Sequence, residues 1–193
     1  ALPWPGGGFG EVAVDFGCGV GRLAKALSRR FETVLCVDHS QRHLDVVVAT
    51  LRRERVLPLK STTAGSELLG LPRAPQFALS VLALQHVVPQ LQVAALEHLC
   101  DALAPGGSAF VQLLTAYDAS PYVAAGCDPQ RAIMEPGMHL HYLPLHEATA
   151  HLRRRGCVVL ATEPCDDFVA IPGRNSSSHC LVFLRSSSGP SLL

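Results

Sequence analysis

The stretch VAVDFGCGVGR, Val12 to Arg22, places three glycines, Gly17, Gly19 and Gly21, behind an apolar run that ends in an aspartate. Glycine lets a backbone approach a ligand closely and turn sharply afterwards, so loops of this kind cradle nucleotide-like ligands. A dinucleotide site asks for G-x-G-x-x-G, with a pyrophosphate on the helix N-terminus. Here the third glycine of that pattern would fall on Arg22 and falls instead on Gly21. Asp15, two positions before Gly17, would repel a pyrophosphate but is suited to an ammonium group, met directly or through water. A ligand with an amino-acid end and no phosphate fits this charge better than a dinucleotide does.

Other residues can also do chemistry. Gln85-His86 follows the fourth apolar run, and an imidazole titrates close enough to neutral pH to serve as a general base. His139 and His141 alternate in MHLHYL, so an extended chain would aim both at one face. A metal pair there lacks a third or fourth ligand nearby, and no metal is expected. Tyr117, Tyr122 and Tyr142 can line a small-molecule pocket or cover the core. Cys18 reads as a small apolar filler within the loop.

These residues need a scaffold, and the pattern along the chain supplies one. EVAVDF, TVLCVD and VLPLKS read as strands, separated by the helical stretches GRLAKALSRRF and SQRHLDVVVATLRRE, the latter with Ser40 as N-cap. Pro58 places the third strand at an edge, since proline cannot donate to a ladder. FALSVLAL, almost continuously apolar, reads as a strand buried on both faces. LQVAALEHLCDALA is a helix closed by Pro105-Gly106-Gly107, and SAFVQLL is a fifth strand. PLHEATAHLRRRG, CVVLATE and HCLVFLR add a helix and two strands. Alternation of this kind implies a doubly wound α/β fold, with ligands at the carboxyl ends of the strands. One domain is expected over residues 1–185, with an irregular, substrate-covering insertion at about 115–143 and a flexible tail at 186–193.

Together these residues resemble the class I S-adenosylmethionine-dependent methyltransferases, of the small-molecule type. VDFGCGVGR resembles their first motif, VLCVDHS their second, and LAPGG the turn before strand five. The resemblance implies a Rossmann-like, mostly parallel seven-stranded sheet with helices on both faces and the last strand antiparallel. It implies that Asp38 accepts hydrogen bonds from both ribose hydroxyls of S-adenosylmethionine. It further places Asp15, Gly17, Cys18, Gly19, Gly21, His39, Leu84 and Gln85 around that cofactor, with Gln85-His86 beside its methionine end. Where relatives carry an acid for the adenine amino group, this chain has Ser66, with Glu67 next to it. The common Phe-Asp before strand four is Phe77-Ala78. The Asn/Asp-Pro-Pro signature of amino-group and base methylation is absent, and Gln85 and Thr115 stand where catechol-type relatives need metal-binding carboxylates. The expected activity is therefore methyl transfer to a small molecule, at oxygen, with His86, His141 and His139 as the catalytic candidates. Two readings stay open beside it: a non-catalytic methyltransferase-like binding or structural subunit and an NAD(P)-dependent oxidoreductase.

Composition sets outer bounds. The chain has 193 residues, 48% hydrophobic, with a formal net charge of zero. That is enough for one sizeable core. A nucleic-acid partner would require a clustered positive footprint, and the short clusters Arg52–Arg55 and Arg153–Arg155 sit at helix ends, where basic groups favour the dipole. Seven irregularly spaced cysteines with no CxxC pair predict reduced, mostly buried thiols and a cytoplasmic or other reducing compartment. No apolar run approaches the length of about 18 residues that a membrane span needs. The first residue is Ala1, so a targeting peptide would not be visible. The sequence is silent on oligomeric state.

Overall fold

A computed structural model describes residues 10–52, 54–62, 64–117, 140–165 and 176–187. Their elements run, in chain order, β1 (Gly10–Phe16), α1 (Arg22–Leu27), β2 (Phe31–Asp38), α2 (Gln41–Thr50), β3 (Val56–Lys60), β4 (Phe77–Ser80), α3 (Pro89–Ala102), β5 (Ser108–Tyr117), α4 (Leu145–Arg154), β6 (Cys157–Pro164) and β7 (Ser176–Arg185). Short 3-10 turns over Ser66–Gly70 and Leu84–His86 follow β3 and β4. The seven strands form one sheet in the order β3-β2-β1-β4-β5-β7-β6. β1 to β5 pair in parallel, and β7 runs antiparallel between β5 and β6. The expected Rossmann-like sheet with its last strand antiparallel is the observed one.

Alternation along β1 divides the core between two faces. Val12, Val14 and Phe16 join the cluster containing Leu96, Leu99 and Leu103 of the α3 region and Leu152 of α4. Ala13 points to the other side, among Ala24, Leu27, Leu44 and Val47 of α1 and α2. Strand order reverses between β1 and β4, so the carboxyl ends of these two strands part and leave a crevice. β3 lies at the sheet edge, and Ser40 caps α2 by accepting from the His43 N–H. Pro58 and Ser40 thus do what their chemistry predicts.

Two expectations are corrected. FALSVLAL is not one long strand: β4 ends at Ser80, and Leu82 turns into a left-handed conformation with φ 56°. The Leu82 N–H goes to the Gln112 side chain instead of a ladder partner, which stops the pairing. The second correction concerns the thiols. Cys100 and Cys157 form a disulfide, although 57 positions separate them. Packing of α3 beside the start of β6 brings their Cα atoms to 6.5 Å, within the span of such a bond. Sequence spacing alone carries no trace of that proximity.

Of the expected insertion, residues 115–117 extend β5 and residues 140–143 run beside the turn that follows β4; residues 118–139, with His139 and Tyr122, lie outside the described residues. No described helix is long and apolar enough to cross a membrane.

Candidate active site

The glycine loop is folded against the end of β2. Gly17 and Cys18 both donate their N–H groups to the Val37 carbonyl, at 2.8 and 3.0 Å, and Gly21 closes a tight turn onto the Cys18 carbonyl at 2.9 Å. All three glycines have positive φ, at 74°, 52° and 84°. Their surroundings differ. A Cβ on Gly17 would lie 2.2 Å from that of Ala83, and one on Gly21 would press on Leu51 and Val47. A Cβ on Gly19 would meet nothing within 4 Å among the described residues. Gly17 and Gly21 are therefore glycine for packing, while Gly19 borders open space.

That space is a cavity of about 760 Å³ at the carboxyl edge. Such a volume suits a cofactor-sized ligand. Gly17, Gly19, Asp38 and His39 form the wall that follows β1 and β2, and Leu82, Ala83, Leu84 and His86 form the wall that follows β4. Lys60, Ser61, Thr62 and Ala64 close the end beyond β3.

Asp38 is the electrostatic centre. Its carboxylate is 6% exposed, with Oδ2 accepting from the Gly19 N–H and Oδ1 from the Ser40 N–H, each at 2.8 Å. His43 Nδ1 lies 3.3 Å and His39 Nδ1 3.5 Å from Oδ1. A carboxylate offers about four acceptor directions; Ser40 and the two imidazoles crowd Oδ1, and among the described residues Oδ2 takes only the Gly19 N–H, which leaves it capacity for a ligand's hydroxyl.

Asp15 lies behind the loop, 2% exposed. Gly21, the N-cap of α1, has no side chain to cap with, and Asp15 supplies the missing acceptor through a hydrogen bond with the Ala24 backbone. Among the described residues its Oδ2 has no hydrogen-bond partner. Burial pushes the Asp15 carboxyl up to about 6; the Ala24 bond opposes this and the negative charge of Asp38 adds to it. A buried, half-satisfied carboxylate is costly, and a cationic group of a ligand would relieve it. Cys18, also buried, is held well above the usual thiol range, first by its hydrogen bond with Cys36 and then by burial. It remains a protonated thiol and fills space.

The other candidates separate. His86 is exposed on the cavity wall. Gln85 is turned away from the cavity: it is buried, with its Oε1 3.4 Å from Gln112 Nε2. The His141 backbone N–H donates to the Gln85 carbonyl at 2.8 Å, which brings residues 140–143 to the turn that carries His86, but His141 is not part of the cavity lining. Glu67 also faces elsewhere. Its carboxylate accepts from the Ser61 hydroxyl and the Thr62 N–H, at 2.9 and 2.8 Å, and so shapes the loop after β3 from behind. Ser66 begins the same turn without lining the cavity. Among the described residues no group of three His, Cys, Asp or Glu side chains gathers to hold a metal.

Lining residues that the motif pattern does not reveal include His43, Lys60 and Ala83. Lys60 is signalled only by its place at the carboxyl end of a strand. Ala83 has meaning only once Gly17 is seen against it.

The geometry can be set against known proteins. A family model described as a methyltransferase domain matches residues 13–107, from β1 to the turn before β5. Over that stretch the chain carries a methyltransferase domain. Solved methyltransferases share its fold. Magnesium protoporphyrin IX methyltransferase from Synechocystis PCC 6803, with bound SAH, superposes with a TM-score of 0.65 at 15% identity, covering 92% of this chain and 75% of that one. A methyltransferase from Clostridium acetobutylicum ATCC 824 gives 0.68 at 12% identity, with coverages of 92% and 85%. A cyclase reaches 0.66 at 16% identity, with coverages of 92% and 76%. At these identities the likeness carries the fold alone. Curated proteins give no significant match.

Proposed function

We propose that this methyltransferase moves a methyl group from S-adenosylmethionine to a small-molecule acceptor, at oxygen. The carrying observation is the pairing of Asp38 with Gly19 on one wall of the cavity. The carboxylate is held by two backbone donors and still has acceptor capacity, and the glycine beside it borders open space. Ribose hydroxyls would meet Asp38, and the ligand's ammonium group would lie toward Asp15, whose Oδ2 has no hydrogen-bond partner among the described residues. When bound, the donor supplies a methyl carbon activated by its sulfonium. The protein's own task is alignment and proton removal. His86 is proposed as the base that takes the hydroxyl proton of the acceptor, since its imidazole stands exposed on the cavity wall. The segment at 115–143 is assigned to the acceptor side, and residues 1–185 to one catalytic domain.

One observation favours a non-catalytic methyltransferase-like binding or structural subunit: Glu67 accepts from Ser61 and Thr62 and does not line the cavity, which removes an acid from the adenine end. One set of measurements separates the readings. Thermal unfolding with S-adenosylmethionine, S-adenosylhomocysteine and NAD should show stabilisation by the first two alone, of roughly 2.7 kcal/mol at a hundredfold excess over Kd. Stabilisation by NAD alone would sink the donor reading. Turnover on a panel of phenols and carboxylic acids, abolished in His86→Ala with donor affinity kept, distinguishes the enzyme from the binding subunit. Equal turnover in His86→Ala would remove the proposed base.

A further inference from the structure

Two described residues other than glycine hold a left-handed backbone, Ala64 and Leu82, and both line the cavity. For leucine this conformation is disfavoured, because its Cβ crowds the backbone. Something must hold Leu82 there. The structure identifies the holder: Gln112 on β5, 1% exposed, whose Oε1 accepts the Leu82 N–H at 2.8 Å. The turn at Leu82 is what sets Ala83 against Gly17 and so shapes the wall that faces Asp38.

The same amide reaches further. Gln112 Nε2 lies 3.4 Å from Gln85 Oε1. The Gln85 carbonyl accepts from the His141 N–H, and Gln92 Nε2 donates to the carbonyls of both His141 and Val87, at 3.2 and 2.7 Å. A chain of buried polar groups thus joins the cavity wall after β4 to residues 140–143. Gln112 itself is not part of the cavity lining.

We propose that Gln112 is a positioning residue for the methyl-donor site: it holds Leu82 in the left-handed turn that shapes the donor-facing wall, and through Gln85 it ties that wall to the segment at His141. This rests on the donor reading above. A side chain that merely fills the core would affect stability and leave ligand affinity alone. One that positions the wall must change affinity, and its effect must run through Leu82. Leu82→Gly supplies the control, since glycine adopts the turn without strain and needs the pin less.

The experiment is calorimetric titration with S-adenosylhomocysteine, beside thermal unfolding of the ligand-free proteins. Gln112→Met removes both amide functions at similar volume and should weaken binding about tenfold, the effect of one lost buried hydrogen bond. Gln112→Glu keeps an acceptor for the Leu82 N–H and should bind within about threefold of the parent. In the Leu82→Gly background, Gln112→Met should cost less than about threefold. Should Gln112→Met not fold, Gln112→Asn, whose shorter amide cannot reach Leu82, makes the same comparison. Unchanged affinity in Gln112→Met, or an equal loss in both backgrounds, overturns the positioning role alone. Failure of the parent protein to bind S-adenosylhomocysteine overturns the donor reading and this proposal with it.

Discussion

Gly17 and Leu82 both line the cavity, and both hold left-handed backbone, with φ 74° and 56°. The same local shape is reached in two ways. At the glycine loop the residue type makes it cheap, and a neighbouring strand secures it through the Val37 carbonyl. After β4 the residue type opposes it, and a glutamine 30 positions away supplies the restraint. One wall is written into adjacent residues, whereas the other exists only when β5 is in place. Ligand contacts on the first wall should therefore be sensitive to single local changes. Those on the second should depend on partners remote in sequence.

The largest effect is expected at the first wall. Asp38→Ala removes an acceptor that orders the Gly19 and Ser40 N–H groups and would meet the ligand's hydroxyls. Charge-assisted bonds of this kind are worth about 1.5–3 kcal/mol each, so calorimetry should find donor affinity lowered by more than about a hundredfold. Donor affinity within a few-fold of the parent would make the two walls equivalent and break the contrast.

Gly17→Ala probes the contact between the walls. The added Cβ would come within 2.2 Å of Ala83 Cβ at a positive φ. Overpacking costs about 1–3 kcal/mol, to be read as a fall in unfolding free energy with a parallel loss of donor binding. Ala83→Gly in the same chain should restore the packing part of that loss, though not the part due to φ. No rescue would mean that the walls do not touch as described.

A smaller effect concerns pH. The folded Asp15 carboxyl sits near 6 against 3.8 for an ordinary aspartate, because burial favours the protonated form. Its contribution to folding is therefore complete below about pH 3.8 and lost as pH rises through about 6. A cationic ligand has the opposite preference. Donor affinity should rise as pH climbs through about 6, by at most about tenfold per unit. Asp15→Asn should bind more weakly and show a flat profile over that range. A parent profile as flat as that of the variant would remove the ammonium contact.

The smallest effect on affinity is expected far from both walls. Cys100 and Cys157 lie near the end of α3 and at the start of β6. Replacing both with serine should lower stability by about 2–4 kcal/mol and leave donor affinity unchanged. A change in affinity would show that the disulfide end of the sheet communicates with the cavity.

Much of this was legible because it depends on neighbours in sequence. The glycine loop, the strand-two acid, the Ser40 cap and the edge position of Pro58 each express a requirement of the local backbone. The roles of Gln85 and Glu67 were not legible in this way. Motif position set both beside the cofactor, but Gln85, being buried, turns to Gln112, and Glu67 accepts from the neighbouring Ser61 and Thr62. The apolar run FALSVLAL misled for a related reason: hydrophobicity reports burial, and only pairing decides where a strand stops.

The sequence by itself determined the α/β alternation, the carboxyl-edge location of the site and the residues of its first wall, since period, turn chemistry and charge act over a few positions. Tertiary structure alone decided that Ala83 closes on Gly17, that Gln112 holds Leu82, that Cys100 meets Cys157 and that His141 comes to Gln85. Those contacts join residues between 30 and 66 positions apart, counted from their numbers. They form only when packing of the sheet and its helices brings the partners within hydrogen-bond or covalent reach, and no local preference of either partner encodes the meeting.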